Sequence, residues 1–296
     1  MLHFLPRPLV GTLSLVLYFL NTLFWFIPIM LLAVLKLAPV TRWQSWLTYL
    51  LDACAVAWIS VNNFTTRLFT RIRWHVSGLE KLSRKDWYLV LANHQSWADI
   101  LVLQKVFNRK IPFIKFFLKK ELIYVPVIGL CWWALDFPFM KRYSAAFLAK
   151  HPELKGKDVE TTRKACEKFR YKPVSVMNFL EGTRFTPEKH HKQQAPFAHL
   201  LKPKAGGISF VLNAMGEHLH KLLDVTIYYP KGSPSFWDYI SGKVHDIRVR
   251  VRVLPIEPSL IGDYEDPQYR QQFQQWVNQL WLDKDLKLAA LKKELY

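Results

Sequence analysis

A histidine and an aspartate five residues apart, His94 and Asp99 in Asn93-His94-Gln95-Ser96-Trp97-Ala98-Asp99, are spaced to move a proton. They follow an apolar strand-like run over residues 87–91, which puts His94 at a strand's carboxyl end, where α/β sheets assemble their sites. Asp99 then falls in the first turn of the following helix. The loop between can bend the carboxylate toward one ring nitrogen, fixing the tautomer and leaving the other nitrogen as a general base. The same letters also have a structural meaning. Ser96 and Asp99 stand three apart, as the two partners of a capping box do at a helix start. On spacing alone, both readings stay open.

The second constellation is Phe179-Leu180-Glu181-Gly182-Thr183-Arg184, which emerges from a strand expected over residues 174–179. Gly182 permits a tight turn, and Arg184 supplies a planar fork suited to phosphate oxygens. Glu181 can hold Arg184 in place or accept hydrogen bonds from substrate hydroxyls; a plain strand-exit turn with a surface ion pair is the simpler reading. Thr186-Pro187 beyond it reads as an N-cap with proline at the first helical position. Between the two constellations, Lys119 and Arg142 can extend a phosphate site. His190 and His191 invite a metal, but adjacent rings rarely converge on one ion and no third ligand is evident, so a solvated loop is expected there. The chain has no Walker loop, no Gly-x-Gly-x-x-Gly and no Gly-x-Ser-x-Gly elbow, which leaves nucleotide hydrolysis and lipase chemistry unsupported.

The elements that must hold these residues follow from periodicity. Strands are expected near residues 72–76, 87–91, 174–179 and 225–229, with helices near 97–107, 158–170 and 205–214 between them, which predicts an α/β sheet covered by helices. Residues 247–253 read Ile-Arg-Val-Arg-Val-Arg-Val. The strict period of two places Arg248, Arg250 and Arg252 on one face, either solvated or turned to lipid headgroups. Tyr269, Phe273, Trp276, Val277 and Leu280 predict a closing amphipathic helix.

The amino-terminal end is different in kind. Residues 8–35 contain no charge and are rich in Leu, Val, Phe and Ile. At about 1.5 Å per residue such a helix reaches roughly 40 Å, beyond the ~30 Å hydrocarbon core of a bilayer. The run is too long for the apolar region of a signal peptide, and Pro28 is placed to kink or end it. Trp43, Trp46, Leu47, Leu50, Cys54, Trp58 and Val61 then fall at helical spacing, predicting an amphipathic helix that lies in the interface or returns part-way through the bilayer. Arg67, Arg71 and Arg73 follow, and the positive-inside rule puts the rest of the chain on the cytoplasmic side of the membrane. The expected organisation is a membrane-anchoring segment, residues 1–66, and an α/β domain, residues 67–296.

Composition says that the chain meets something anionic: nucleic acid, a phosphorylated substrate, an acidic carrier or an acidic membrane surface. The 296 residues are 51% apolar, which excludes a disordered chain, and 41 Lys plus Arg against 23 Asp plus Glu give a formal charge of +18. No recognisable nucleic-acid module accompanies that charge. Cys54, Cys131 and Cys166 match no metal or redox spacing, so a reducing compartment is expected.

In this order, the segments resemble the glycerolipid acyltransferase family, which includes the 1-acylglycerol-3-phosphate acyltransferases. The family's Asn-His-x-x-x-x-Asp motif is matched by Asn93, His94 and Asp99. Its Lys-Lys-x-Leu…Pro-x-x-Gly segment resembles residues 119–129 with Arg142 following, and its Glu-Gly-Thr-Arg motif stands unaltered at residues 181–184. The longer segments 156–170 and 185–207 look most like a branch of the family found in bacterial inner membranes. Two places depart from the pattern. Lys141 precedes Arg142 where an acid is commoner, and the stretch Leu223-Asp224-Val225-Thr226 lacks the family's proline, so no fourth-motif residue is carried over.

The resemblance implies a mixed sheet flanked by helices and an amphiphilic amino terminus. It implies that His94, oriented by Asp99, takes the proton from a glycerol hydroxyl attacking an acyl thioester. Glu181, Gly182, Thr183, Arg184, Arg142 and Lys119 would then hold the acceptor's glycerol phosphate. The implied partners are membrane lipids, a lysophospholipid acceptor, and acyl-CoA or acyl carrier protein as co-substrate, with no metal or bound cofactor and no nucleic acid. The acceptor expected is 1-acyl-sn-glycerol-3-phosphate. Remodelling of another lysophospholipid, or a non-enzymatic basic membrane protein, are the alternatives.

Overall fold

The computed structural model describes residues 4–140, 172–216 and 218–294, together with Leu2, Cys166 and Phe169. The chain starts as a helical hairpin, α1 (Arg7–Leu35) and α2 (Thr41–Phe69). Pro28 does not end α1: the helix runs through it to Leu35. A proline forfeits one backbone bond, and packing against α2 on both sides of the position compensates. Helix α2 continues past the expected end at Val61 and past the expected segment boundary at residue 66, through Asn62, Asn63, Thr65 and Thr66, which are poor helix formers. Contacts with α1 override that propensity. The Tyr18 hydroxyl meets Thr66 Oγ1 at 2.6 Å, Asn21 Nδ2 donates to Asn62 Oδ1 at 2.9 Å, and Trp58 Nε1 donates to Thr22 Oγ1 at 3.1 Å. The pairs run antiparallel along the hairpin, while Leu15, Phe19, Phe24, Ile27 and Leu31 face outward.

The body is an α/β sheet. Strands β1 (Arg73–Ser77) and β2 (Tyr88–Ala92) precede helix α3 (Ala98–Phe107) and strand β3 (Ile114–Phe116). A small parallel pair, β4 (Leu118–Lys119) with β5 (Phe139–Met140), brackets helix α4 (Ile128–Ala134). There follow β6 (Ser175–Phe179), α5 (Pro187–Gln193), α6 (Gly206–Met215), β7 (Lys221–Tyr228), α7 (Phe236–Ile240), β8 (Asp246–Pro255) and α8 (Pro267–Lys293). The main sheet has the order β1-β8-β7-β2-β6-β3. Strands β7, β2, β6 and β3 are mutually parallel; β8 runs antiparallel to β7, and β1 parallel to β8. The sheet is therefore mixed and flanked by helices, as expected. The helix expected over residues 158–170 lies outside the described residues.

Alternation along β2 shows how the layers form. Tyr88, Val90 and Ala92 face one side with α3, α7 and Tyr18 of α1; Leu89 and Leu91 face the other with α6 and α8. All five are fully buried, as befits a central strand covered on both faces. A third apolar cluster joins Ile29 and Ala33 of α1 and Leu51, Ala55 and Ile59 of α2 to Phe113, Cys131, Ala134 and Phe137 of the body. Asp52 of α2 accepts from Lys172 at 2.5 Å, and Lys36 pairs with Asp136, so the hairpin is docked by charge as well as by apolar contact.

Both readings of the arginine face are corrected here, because α8 is far longer than the helix expected near residues 269–280. It lies over that face of β8 and brings acids to it. Arg248 donates to Glu294 at 2.8 Å, and Arg252 bonds Asp224 at 2.9 Å and Asp283 at 3.3 Å, while Arg250 donates to the His75 carbonyl at 3.0 Å. The stripe is a partly covered seam tied to acids, half-buried under α8, and not an open solvated face or a headgroup surface. Beneath it, Lys284 is fully buried, pairs with Asp224 and donates to the Val225 carbonyl at 2.6 Å.

Candidate active site

Strands β2 and β6 are neighbours with Ala92 opposite Phe179, so the residues two beyond each strand end, His94 and Glu181, stand side by side. The two motifs found in the sequence thus meet at the carboxyl ends of two neighbouring interior strands. The His94 ring stacks on Phe179, with centroids 3.9 Å apart and planes 13° from parallel, and its side chain is 12% exposed. Stacking leaves the ring little freedom except to present its free edge outward.

Asp99 is fully buried. Its Oδ2 meets His94 Nδ1 at 2.9 Å and accepts the backbone N–H groups of Gln95 at 2.6 Å and Ser96 at 2.9 Å; its Oδ1 accepts the Tyr229 hydroxyl at 2.6 Å. Orientation of the ring and capping of the helix are therefore jobs of one carboxylate, not competing explanations. The capping box is only half formed, since the Asp99 N–H goes to the Ser96 carbonyl at 3.2 Å. The Ser96 hydroxyl instead accepts from Ala98 and donates to the Pro234 carbonyl at 2.5 Å. Asn93 works as a clamp: its amide donates to the Ile227 carbonyl at 2.9 Å and accepts the Ile227 N–H at 2.8 Å, joining the end of β2 to β7.

Glu181 corrects the sequence reading. It was expected to touch substrate or to hold Arg184; instead it is fully buried and turned inward. Oε1 accepts the His94 N–H at 2.8 Å and Oε2 the Leu201 N–H at 3.0 Å, so the carboxyl holds the histidine loop against the 198–201 loop. Burial pushes its pKa up to about 7, with the two N–H donors pulling the other way. Helix α8 braces the same loop: Trp281 Nε1 donates to the Leu201 carbonyl at 3.1 Å, and Asp285 accepts the N–H groups of Ala198 at 2.8 Å and His199 at 2.7 Å.

Gly182 turns the chain with φ +65°, and a β-carbon there would sit 3.2 Å from the Lys204 side chain, which crosses above it. Thr183 Oγ1 accepts from Lys189 at 2.8 Å, and the same ammonium donates to the Arg184 carbonyl at 3.1 Å, so α5 steadies the turn. Thr186 caps that helix as expected. The Arg184 guanidinium lies over the Trp97 indole at 4.7 Å, which parks a cation beside the histidine loop. Lys119 is exposed on β4, opposite Met140, and no contact among the described residues joins it to the His94 loop. Arg142 lies outside the described residues. His190 Nε2 is bonded to the Phe197 carbonyl at 2.6 Å and His191 is exposed; among the described residues no group of ligands converges for a metal.

Sequence reasoning missed Tyr229, the Asn93 clamp, the Leu201 N–H and the bracing by α8. An asparagine directly before a strand-end base was a visible hint of the clamp. Tyr229 lies 130 residues from Asp99 and left no local signal.

The arrangement is an imidazole held at Nδ1 by a buried carboxylate, with a guanidinium close to its loop, at the carboxyl ends of two interior strands of a mixed α/β sheet. Such an arrangement has the groups to take up a proton and to hold an anion. A family profile described as Acyltransferase matches residues 73–229, a little over half of the chain and all of the described site residues, and the chain belongs to that family. Among curated relatives, it is 27% identical to human 1-acyl-sn-glycerol-3-phosphate acyltransferase gamma over 213 residues, covering 68% of this chain and 52% of the relative. It is 24% identical to the mouse delta form over 225 residues, covering 72% and 54%. The chain thus spans about half the length of the curated relatives it matches. Among solved structures it is similar to a 1-acyl-sn-glycerophosphate acyltransferase from Thermotoga maritima, with a TM-score of 0.49 and 17% identity over 93% of this chain and 97% of that one.

Proposed function

We propose that this chain is a membrane-held O-acyltransferase. It moves a fatty acyl group from an acyl thioester to the sn-2 hydroxyl of 1-acyl-sn-glycerol-3-phosphate, forming phosphatidic acid. The observation that supports it most is His94 held at Nδ1 by a buried Asp99, which leaves Nε2 as the nitrogen available to a hydroxyl. Nε2 takes the hydroxyl proton as the oxygen bonds to the thioester carbonyl carbon. The tetrahedral intermediate then collapses, the C–S bond breaks, and the departing thiolate recovers the proton from the imidazolium. No acyl-enzyme forms, because the activated hydroxyl is itself the nucleophile, and the scheme calls for no metal or bound cofactor. Arg184, Thr183 and the Gly182 turn would hold the acceptor phosphate, with Lys119 and Arg142 extending that site.

The donor is acyl-CoA or acyl carrier protein, both anionic and both suited to a chain of charge +18. Membrane attachment is supported by α1, the one helix among the described residues long and apolar enough to cross a bilayer. The arginines that follow α2 favour a cytoplasmic site on a bacterial inner membrane. The test is an assay of purified membranes with lysophosphatidic acid and lysophosphatidylglycerol as acceptors and both thioesters as donors. Preference for the phosphate monoester, shrinking in Arg184→Ala, supports the reading. Preference for the diester replaces it with lysolipid remodelling, and no transfer to any acceptor, with oligonucleotide or anionic vesicles bound instead, removes the enzyme altogether.

A further inference from the structure

Tyr229 stands just past the carboxyl end of β7, buried, and its hydroxyl donates to Asp99 Oδ1 at 2.6 Å. The contact is built from several sides. The Asn93 clamp fixes Ile227, two residues before Tyr229, and the Ser96 hydroxyl holds the Pro234 carbonyl five residues after it. The two carboxylate oxygens therefore face different ways: Oδ2 toward the ring and two backbone N–H groups, Oδ1 toward the phenol.

We infer that Tyr229 is a positioning residue of the acyl-transfer base, fixing the plane of Asp99 so that Oδ2 meets His94 Nδ1 and drawing off part of the carboxylate's charge. The inference rests on the function proposed above and concerns how its base is set. A carboxylate gripped on one oxygen swings about its Cβ–Cγ bond, and a short O–H···O⁻ bond to the other oxygen stops that swing. The same bond weakens the field that would hold a proton on the imidazole. Burial and the charge of Asp99 keep the phenol's pKa well above its ordinary value, so it remains a donor throughout the working range.

Other titratable groups face this centre: Glu181 under the His94 N–H, Arg184 across Trp97, Tyr239 beside Tyr229, and Lys284, whose charge reaches Glu181 from α8. Tyr229→Phe leaves all of them in place. Among buried tyrosines, Tyr239 supplies the control, since its hydroxyl faces Thr66 and not Asp99.

The experiment uses the full chain in detergent micelles with ¹⁵N-labelled histidine rings, the His94 signals being assigned by their loss in His94→Gln. In Tyr229→Phe the titration midpoint of the His94 ring should rise by about half to one pH unit, since a carboxylate robbed of one donor holds the imidazolium more tightly. The acidic limb of kcat/KM should move with it, while Tyr239→Phe moves neither. In an Asp99→Asn background, Tyr229→Phe should add less than about twofold to the loss of rate, the sign of two residues acting through one another. Replacing tyrosine by 3-fluorotyrosine, a stronger donor, should shift the midpoint down and serves if Tyr229→Phe does not fold. An unmoved midpoint in a folded variant overturns the inference, as does full additivity with Asp99→Asn. The ring titration needs no turnover. A chain that shows the shift yet transfers no acyl group overturns the proposed function and leaves the positioning of Asp99 by Tyr229 intact.

Discussion

At Asp99, four donors converge on one buried carboxylate, and that is more than ring orientation needs. In its amide the NH2 faces either the three N–H donors on Oδ2 or the Tyr229 hydroxyl, which must then turn from donor to acceptor, and the charge that strengthened all four bonds is lost. Asp99→Asn should therefore lose both stability, by about 1–3 kcal/mol, and rate. His94→Ala should lose rate alone, at least ~100-fold, because a positioned base contributes that much; kcat/KM and melting curves on the two variants separate the cases. Glu181 gives a prediction of unusual sign. Its folded pKa, about 7, exceeds that of an unfolded glutamate, so the native state binds more protons between roughly pH 4.5 and 7. Stability from this group is full below that window and is lost as pH rises through it, by up to about 3 kcal/mol. Ordinary paired carboxylates do the reverse. In Glu181→Gln this pH dependence should vanish and the protein should be less stable at pH 5, where Gln turns a donor against the His94 or Leu201 N–H; urea midpoints across pH test both. The placement of His94 and Arg184 just beyond strand ends was legible in the sequence because strand ends advertise their loops. The inward turn of Glu181 was not, since its partners are backbone groups that carry no letter.

The elements divide in the same way. Periodicity marked β2, β6 and α3 within a residue or two, because each buries its face on near neighbours. It missed the reach of α8, whose buried stripe continues through Leu288 and Leu291 but is interrupted by Lys284 and Asp285, both buried, before Glu294 joins the arginine seam. That helix bears on the site through the 198–201 loop. Asp285→Asn should cost about 1–3 kcal/mol, since one of the N–H groups of Ala198 and His199 is left facing a donor. It should also lower kcat/KM, because the loosened loop carries the Leu201 N–H that secures Glu181. Wild-type kcat/KM in a variant with a lowered urea midpoint would show the brace to be structural only. At α4 the constraint is steric. A β-carbon on Gly129 would lie 2.3 Å from the Ile123 carbonyl oxygen, so Gly129→Ala forces backbone apart and should lower the melting temperature while leaving the ring titration of His94 unchanged.

Taken whole, the molecule is a sheet with a hairpin fastened to one flank through a shared core. Phe113, Cys131, Ala134 and Phe137 are covered by α1 and α2, so a chain starting at residue 70 exposes them. Such a truncation should aggregate in buffer instead of yielding a soluble enzyme, which sedimentation shows directly. The full chain should stay with membranes through a carbonate wash, and release by salt alone would mean that only surface charge holds it. One further consequence lies in the order of the strands. β1 leaves the hairpin at Arg73, yet its sheet partner is β8, and Arg73 meets Asp246 across 173 residues of chain. At ribosomal speeds of about 5–20 residues per second, that partner arrives roughly 10–35 seconds after β1 has been made. Through that interval the ribosome holds a nascent chain whose helices can already pair, while its first strand has no neighbour. Completion of the sheet thus waits on the synthesis of β8, and a nascent chain that stalls before Asp246 presents an open edge to the quality-control proteases.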